Sequence, residues 1–567
     1  LTWDRPKQPG SKTAMATWLR SDCAFQWGRP PRACAPSRLP RSARPPIYAL
    51  SVALLRPEAD QPRLAELLAC LSLATDLGRG RPDEEALRAC LLATRLAKRM
   101  GLPDGDLTEC YYTALLRFVG CTANAHELTA MAGGDQVSVN GVGDMMDLAN
   151  PREALTLLLL AGKGLKPLQR PQLLLTAQIK GARSAEEGIR SDCEVAARMA
   201  HRFGLGDRVE AALYQGFERW DGKGSPRHLR GEAIAFPARV ANVAFAAVMF
   251  DGAGGEAAAV AAVRRWSGRK LDPAICELFL GDAGAFLSAL NAGDPWVSVL
   301  AEEPEPRHRI SESRLDDVAD AFADFADLKS IYLAGHSRGV AALAERAALI
   351  LGLPAAEVVK VRRAGLMHDI GRVAVSTRVW EKAGTLTTSE WESVRLHPYH
   401  TQRILSRSPL LASLSTCAAA HHERLDGSGY HRGLPASMIS RPDRVLAAAD
   451  VYQALTEDRP HRNRMPPGQA AATLKTLRLD PEAVAAVVQA ASGEKQSAGR
   501  ATWPGGLTDR EVEVLRLLAR GASLKQVGKV LSISPSTVHT HEAHIYEKLG
   551  ISTRAAAALI AMELGLL

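Results

Sequence analysis

The sequence predicts an all-α protein made of two similar helical domains in tandem, followed by a smaller helical domain. Three observations support this prediction. From about residue 47 onward, Ala, Leu and Arg recur at three- and four-residue spacings, the pattern of amphipathic helices. The chain also matches itself when it is shifted along its length, which indicates a duplicated domain. The stretch from residue 507 onward carries helix-capping signals of its own.

The composition is that of an ordinary globular protein. The 567 residues are 46% apolar and 23% charged, enough for several domains with their own cores. The nine cysteines form no Cys-x-x-Cys pair, which favours reduced thiols over a disulfide framework. No apolar run is long enough to span a bilayer. We therefore expect a cytoplasmic protein without a membrane segment.

Residues 1–46 differ from the rest of the chain. They contain eight prolines and show no periodicity, and residues 1–45 contain nine Lys and Arg against two Asp and Glu. They also lack the apolar core of a signal peptide. We predict a disordered, basic segment. A true start at Met15 or later, or a basic arm that touches nucleic acid, are the alternatives.

The self-match defines two copies of one domain. A shift of 251 residues aligns the Gly-Leu-Pro of residues 101–103 with that of residues 352–354. A shift of 205 residues aligns residues 218–245 with residues 423–450 without a gap, and twelve of these twenty-eight positions are identical. The first part of the chain is thus predicted to repeat the fold of the second.

The second copy carries four histidines and two carboxylates in otherwise apolar helical sequence. Imidazole and carboxylate together suit iron, manganese or zinc. A single residue of this kind is more often a hydrogen-bonded core residue, but the ordered set indicates a divalent-metal site. The set is His368, Asp369, His397, His421, His422 and Asp450.

This copy resembles the HD-GYP family, metal-dependent phosphodiesterases that act on cyclic di-GMP, over roughly residues 311–493. The resemblance adds His336 as an upstream ligand and implies two divalent metal ions, with iron or manganese favoured. It implies that the metal ligands are His336, His368, Asp369, His397, His421, His422 and Asp450. It implies catalytic roles for His368, Asp369 and Arg372. It implies substrate contacts from Arg372, Gly429, Tyr430 and Arg459.

Three positions depart from the family pattern. Tyr332 stands where members with a third metal carry Glu, so two metals are expected. Arg372 replaces the usual Lys, which keeps a cation for a phosphate but changes its geometry. His431 replaces the Pro of the Gly-Tyr-Pro motif, and the substrate loop loses a fixed backbone angle. The third change leaves the choice of substrate open.

The first copy has lost the metal ligands. The residues at the corresponding positions are Glu85, Arg117, Phe118, Gly216, Phe217 and Phe245. Phenylalanine fills such a site with apolar volume, so we expect no metal there. The copy could be a built-in partner of the second copy, a regulatory pocket, or a structural remnant.

The sequence of the C-terminal domain is typical of a DNA-binding module. Thr508 with Glu511 forms a capping box, a second helix runs to about Leu531, and Ser534 with Pro535 starts the next helix after a short turn. This pattern resembles the LuxR-type helix-turn-helix domain, in which the later helix enters the major groove. The resemblance implies that the duplex is contacted by Ser536, Thr537, His539, Thr540 and His541, with Lys548 at a phosphate. A three-helix interaction module is the alternative.

The predicted function is a metal-dependent cyclic di-GMP phosphodiesterase coupled to a LuxR-type transcription regulator. The alternative is a ligand-responsive transcription factor whose metal site binds a nucleotide without turnover. The expected partners are DNA, a cyclic dinucleotide and a second copy in a homodimer. Because the composition of the linker predicts flexibility, we expect the metal site and the DNA-binding domain to be coupled through dimer formation. The predicted units are a disordered segment (1–46), a degenerate copy (47–300), a catalytic copy (311–491), a linker (492–506) and a DNA-binding domain (507–567).

Overall fold

The computed structural model describes residues 61–81, 84–123, 143–147, 149–150, 152–156, 170–493 and 503–567. Within these residues the chain forms α-helices and short 3-10 turns, with isolated bridges but no β-sheet. The all-α prediction is confirmed. The disordered segment predicted for residues 1–46 and most of the predicted linker lie outside the described residues.

The helices fall into three successive groups. The first group is α1 (Leu64–Arg79), α2 (Glu85–Arg99), α3 (Asp104–Leu115), α4 (Arg170–Phe203), α5 (Asp207–Tyr214), α6 (Phe236–Trp266), α7 (Pro273–Gly281), α8 (Ala283–Leu290) and α9 (Pro295–Glu302). The second group is α10 (Glu312–Asp327), α11 (His336–Ile350), α12 (Ala355–Met367), α13 (Thr377–Trp380), α14 (Thr388–Arg395), α15 (His397–Leu405), α16 (Pro409–Ala419), α17 (Arg441–Leu455), α18 (Pro467–Leu474) and α19 (Pro481–Ser492). The third group is α20 (Asp509–Ala519), α21 (Leu524–Leu531), α22 (Pro535–Leu549) and α23 (Arg554–Glu563).

The first two groups repeat the same local architecture. Helices α1 to α3 and the 3-10 turn Val119–Thr122 recur in the same order as α10 to α12 and the turn Ile370–Ala374. Glu218 accepts hydrogen bonds from the backbone N–H groups nine and eleven residues further on. Glu423 does the same in the second group. The shared helices and the shared loop bonds agree with the duplication seen in the sequence.

A glycine in each 3-10 turn lets the turn approach a later helix closely. A Cβ atom on Gly371 would lie 2.1 Å from the carbonyl oxygen of His397, and one on Gly120 would lie 1.9 Å from that of Asp192. Neither distance is possible for a real Cβ, so both turns need glycine for packing. The turn of the second copy directly follows the His-Asp pair, so this contact helps to fix the position of that pair.

The two copies share one hydrophobic core and meet through α1. Gly78 of α1 packs against Val373, inside the 3-10 turn of the second copy. Ion pairs also join the two copies: Arg202 lies 2.7 Å from the buried Asp324, and Arg407 lies 2.7 Å from Glu84. The first copy therefore supports the turn that follows the His-Asp pair.

One described helix, α6, is long and apolar enough to cross a membrane by length and composition alone. It has non-helical backbone angles at Gly254 and Gly255. Its first half corresponds to α17, and Val240, Val243 and Ala244 there are fully buried in the common core. These features are those of a core helix of the fold.

The C-terminal helices start as their sequence predicts. Thr508 and Glu511 form a capping box at α20, and the side chain of Ser534 accepts a hydrogen bond from the N–H of Thr537 at the start of α22. Ser532, with a φ of 55°, ends α21 and turns the chain into α22. Helices α21 and α22 thus form a helix-turn-helix on a small core of their own.

Candidate functional site

The predicted metal ligands come from five points of the chain and lie mostly at helix ends. His336 is the first residue of α11, and His397 is the first residue of α15. His368 and Asp369 follow α12, and His421 and His422 follow α16. Asp450 lies inside α17. The structure brings all seven together, and six of them are fully buried while His422 keeps partial exposure.

Backbone carbonyls orient three of the histidines. The Nδ1 atoms of His368, His397 and His421 each lie 2.6–2.7 Å from the carbonyl oxygen three residues earlier. A carbonyl oxygen can only accept, so each Nδ1 carries a proton and each Nε2 points into the site. The Nε2 atoms of His397 and His421 are 3.0 Å apart. Two metal–nitrogen bonds of about 2.1 Å that meet near a right angle would give about this separation.

The carboxylate of Asp369 lies between two groups of ligand atoms. Its Oδ2 is 2.9 Å from Nε2 of His368 and 3.5 Å from Nε2 of His336. Its Oδ1 is 3.5 Å from Nε2 of His397 and 3.6 Å from Nε2 of His421. Each oxygen therefore faces a different pair of imidazoles.

Asp450 and His422 complete the two groups. Oδ1 of Asp450 is 3.2 Å from Nε2 of His336, while its Oδ2 is 4.0 Å from Nδ1 of His422. Ligand atoms of His336, His368 and Asp369 lie within 4.8 Å of one another, and so do those of His397, His421 and His422. Among the residues that the structure describes, both such groups lie in the second copy.

Unsatisfied polar atoms show that this arrangement fits metal ions. The buried Nε2 of His336 and of His368, both oxygens of Asp369 and Oδ1 of Asp450 make no well-directed hydrogen bond. Leaving so many buried polar atoms without well-directed hydrogen bonds is costly unless a cation or water binds them. The imidazole and carboxylate donors suit a divalent transition metal.

The charges within the site support the same interpretation. Burial raises the pKa of Asp369, but the nearby Arg372 and His368 charges outweigh it and hold this pKa well below its ordinary value. Burial, with the His368 charge, lowers the pKa of His421 to about 4. Burial alone would lower the pKa of His368, yet Asp369 raises it to about 10. Without metal, His368 therefore holds a proton that a bound metal would displace.

The predicted substrate residues border the cluster. Nη1 of Arg372 is 2.8 Å from Oδ2 of Asp369, and the Arg372 guanidinium lies 5.2 Å from the Trp380 ring centre. The ring of Tyr430 stacks on His422 at 4.6 Å. Gly429 has no room for a Cβ, which would lie 2.5 Å from the N atom of Arg424. Tyr430, which follows Gly429, thus lines the partly exposed His422 side of the site.

Sequence reasoning missed Glu457. Its Oε2 is 2.9 Å from Nδ1 of His336 and 2.7 Å from Nη2 of Arg459. Nη1 of Arg459 in turn donates to the carbonyl oxygen of Tyr332. Helical spacing could not have found it, because Glu457 lies beyond Leu455, the last residue of α17, and so leaves the periodicity on which Asp450 lies.

In the first copy, an arginine and aromatic rings occupy the corresponding site. The guanidinium of Arg117 lies 4.8 Å from the ring centre of Phe118 and 4.6 Å from that of Phe217. The rings of Phe118 and Phe245 meet edge to face at 4.8 Å. A Cβ on Gly216 would be 2.7 Å from Nη1 of Arg117, so this arginine fills the space beside the position that holds His421 in the second copy.

The predicted DNA-contacting residues lie along one helix, α22. Ser536, Thr537, His539 and Thr540 are exposed, while His541 is half-buried. Nζ of Lys548 lies 2.7 Å from Oε2 of Glu511, so a phosphate would have to share this lysine with the carboxylate of the capping box.

Comparison with known proteins identifies both parts of the chain. A family model described as an HD domain matches residues 320–482, and one described as bacterial regulatory proteins, luxR family, matches residues 506–561. The 3'3'-cGAMP-specific phosphodiesterase 3 of Vibrio cholerae is 30% identical over 435 residues, which cover 75% of this chain and 94% of that protein. The cyclic di-GMP phosphodiesterase of Thermotoga maritima is 32% identical over 183 residues, which cover 31% of this chain and 50% of that protein.

A solved structure extends the likeness to the whole tandem fold. The crystal structure of V-cGAP3, described as a cyclic GMP-AMP specific phosphodiesterase of V. cholerae, superimposes with a TM-score of 0.54 at 28% identity. The match covers 77% of this chain and 99% of that one.

The fold and the site define a helical, metal-dependent phosphodiesterase of the HD class, joined to a LuxR-type regulatory domain. The chain belongs to the HD-GYP family of phosphodiesterases.

Proposed function

We propose that the second copy is a two-metal phosphodiesterase that hydrolyses cyclic dinucleotides, with cyclic di-GMP as the substrate. The observation that carries this proposal is the position of Asp369, whose two oxygens each lie beside a different pair of imidazoles. A carboxylate in this position can bridge two metal ions. Relatives named for cyclic di-GMP and for 3'3'-cGAMP support the substrate class.

The seven ligands divide between two metal positions around Asp369. His336, His368 and Asp450 would serve one position, and His397, His421 and His422 the other. Iron or manganese suits this mixture of imidazole and carboxylate. Tyr332, where a third-metal ligand would stand, supports two ions rather than three.

The chain's own residues would bind and orient the substrate. Bound metal ions would supply activated water and charge stabilisation for in-line attack on phosphorus. Arg372 lies beside Asp369, and Arg459 lies beside Glu457 and His336, so each guanidinium can bind a phosphate at the cluster. Gly429 and Tyr430 form the loop beside His422, the partly exposed side of the site through which a nucleotide can enter.

The C-terminal domain would couple this site to DNA. The residues that would contact the duplex are Ser536, Thr537, His539, Thr540 and His541, and Lys548 would be shared between Glu511 and a phosphate. Because helix-turn-helix proteins bind paired half-sites, we propose a homodimer, and we place the protein in the cytoplasm with the DNA. The proposed boundaries are 47–300 for the degenerate copy, 311–491 for the catalytic copy and 507–567 for the DNA-binding domain.

A turnover assay on the full-length, manganese-loaded protein tests the proposal. We expect conversion of cyclic di-GMP to a linear product, with 3'3'-cGAMP as the comparison substrate and Asp369→Asn as the inactive control. Turnover of 3'3'-cGAMP alone would correct the substrate. Binding of either dinucleotide without turnover would favour the second candidate, a ligand-responsive transcription factor, which the replacement of the motif proline by His431 supports.

A further inference from the structure

The DNA-binding domain packs directly against both copies. Helix α23 lies on α4 of the first copy and on α10 of the second. Leu559 and Met562 of α23 are fully buried and belong to the core that the two copies share. The opposite face of α23 contributes Ala556 and Ile560 to the small domain's own core. One helix therefore joins two cores.

Polar contacts fix the small domain on the first copy. The guanidinium of Arg198 on α4 lies 3.1 Å from Oε2 of Glu563, and both side chains are about 70% buried. One turn earlier on α4, Glu194 accepts a hydrogen bond from the backbone N–H of Ser552 at 2.7 Å. The copy that has lost its metal ligands thus provides the platform for the DNA-binding domain.

The small domain also touches the loop before His336, residues 330–335, which we call the ligand loop. A Cβ on Gly521 would lie 2.6 Å from Cδ1 of Ile331, and one on Gly335 would lie 3.2 Å from Cβ of Leu567. The small domain is therefore in contact at both ends of the ligand loop. The middle of the loop is held from the other side, where Arg459 donates to the carbonyl oxygen of Tyr332.

We propose that docking of the DNA-binding domain braces the ligand loop and thereby holds His336 in the metal site, so that docking and metal binding favour each other. A loop held on both sides has less freedom to lose when a ligand binds. Linkage makes the effect reciprocal, since a metal ion or nucleotide at the site must then favour the docked domain. The nucleotide part of this inference rests on the proposed function, whereas the metal part does not. Docking leaves Thr537 and His539 exposed.

A charge-reversal pair tests the proposal. In the full chain, Arg198→Glu should release the domain by repulsion from Glu563, seen as faster hydrogen exchange in α23 and in the facing part of α4. It should also weaken Mn²⁺ binding to the metal-free protein by roughly 5-fold, the low end of typical couplings between sites. The double variant Arg198→Glu with Glu563→Arg should restore both properties. Arg190→Glu, on the same helix and paired with the half-buried Glu186 one turn earlier, is the matched control.

A second experiment tests the reciprocal effect by measuring hydrogen exchange in α23 with Mn²⁺ alone and with Mn²⁺ plus cyclic di-GMP. Added protection by either ligand supports linkage. Unchanged Mn²⁺ affinity in an Arg198→Glu protein whose α23 exchanges faster would overturn it. Unchanged exchange in that variant would overturn the docking interface itself. Intact Mn²⁺ linkage in a protein that neither binds nor hydrolyses a dinucleotide would refute the proposed function and leave this inference standing.

Discussion

The carboxylate of Glu457 lies 2.9 Å from Nδ1 of His336. In the other three oriented histidines, the partner of Nδ1 is a backbone carbonyl oxygen instead. A carboxylate partner fixes the ring and raises the basicity of its ligating nitrogen more than a carbonyl does. Glu457 also holds Arg459 at 2.7 Å. One side chain thus connects the metal site with a proposed phosphate-binding arginine.

We predict that Glu457→Gln weakens the binding of one metal ion by roughly 10- to 100-fold. Glutamine keeps the size of the side chain but removes the charge beside His336. Stepwise Mn²⁺ titration of the metal-free protein should show one class of site weakened and the other retained. Glu482→Gln, at an exposed carboxylate of α19, should leave both classes unchanged. Equal weakening of both sites would contradict a specific role at His336.

We predict about two metal ions per chain, all in the second copy. His368→Ala and Asp369→Ala should each lower the metal content, since Asp369 lies beside both groups of ligands. Elemental analysis of the purified protein measures this. Glu85→Gln, at the first-copy position that corresponds to His336, should not change the content. Three ions per chain, or metal retained when His368 and Asp369 are both replaced by Ala, would disprove the prediction.

We predict salt-dependent binding of duplex DNA through α22. Combined Thr537→Ala and His539→Ala should weaken binding to a selected sequence by about 1–3 kcal/mol while changing binding to random duplex much less. Binding isotherms of the full chain on both duplexes at several salt concentrations measure the difference. An equal loss on both duplexes would assign these residues to the phosphate backbone. If no sequence is selected from a random pool, an interaction module becomes the better description.

A buried carboxyl group in the first copy gives a pH prediction. Oδ2 of Asp76 accepts the N–H of Ala86 at 2.9 Å, while its buried Oδ1 has no hydrogen-bond partner. Burial raises the pKa of Asp76 to about 8, against the opposing effects of the Ala86 N–H and Arg79. The unfolded chain therefore loses this proton near pH 4 and the folded chain only near pH 8. The contribution of Asp76 to stability falls as the pH rises through this window.

Asp76→Asn keeps the acceptor and cannot ionise. Relative to wild type, its Tm should be nearly unchanged at pH 4 and higher at pH 8, with the gain growing across the window. Thermal unfolding of both proteins at several pH values measures this. Asp251→Asn, on the more exposed α6 carboxylate that pairs with Arg88, is the control. A Tm difference that does not vary with pH would show that Asp76 ionises normally in the folded protein.

Local rules were sufficient for parts of the fold. The caps at Thr508 and Ser534 depend on side chains within three residues, so the sequence predicts them directly. The repeat likewise required only comparison of the chain with itself. The residue types of the metal site were recognisable because six of them occur in ordered motifs, although their roles as ligands stay a prediction.

Long-range packing was not predictable in the same way. Glu457 lies just beyond the end of α17 and meets His336 only because α11 and α17 are neighbours in space. The docking of α23 was also missed. By sequence, all the apolar residues of α23 could belong to the small domain's own core. Nothing in the sequence separates Leu559 and Met562, which face the two tandem copies, from Ile560, which faces the small domain. The composition of the predicted linker suggested an independent domain, whereas the interface is made by residues far from that segment.

Gly120 sits in a copy whose metal ligands are gone, yet the same backbone contact that excludes a side chain at Gly371 excludes one there. The glycine of the His-Asp-x-Gly motif therefore reports how closely a turn approaches a helix and carries no information about hydrolysis. In genome surveys, a sequence that retains this glycine without the His-Asp pair should be counted as having the fold but not the enzyme activity. Tandem chains such as this one would otherwise be credited with two active centres.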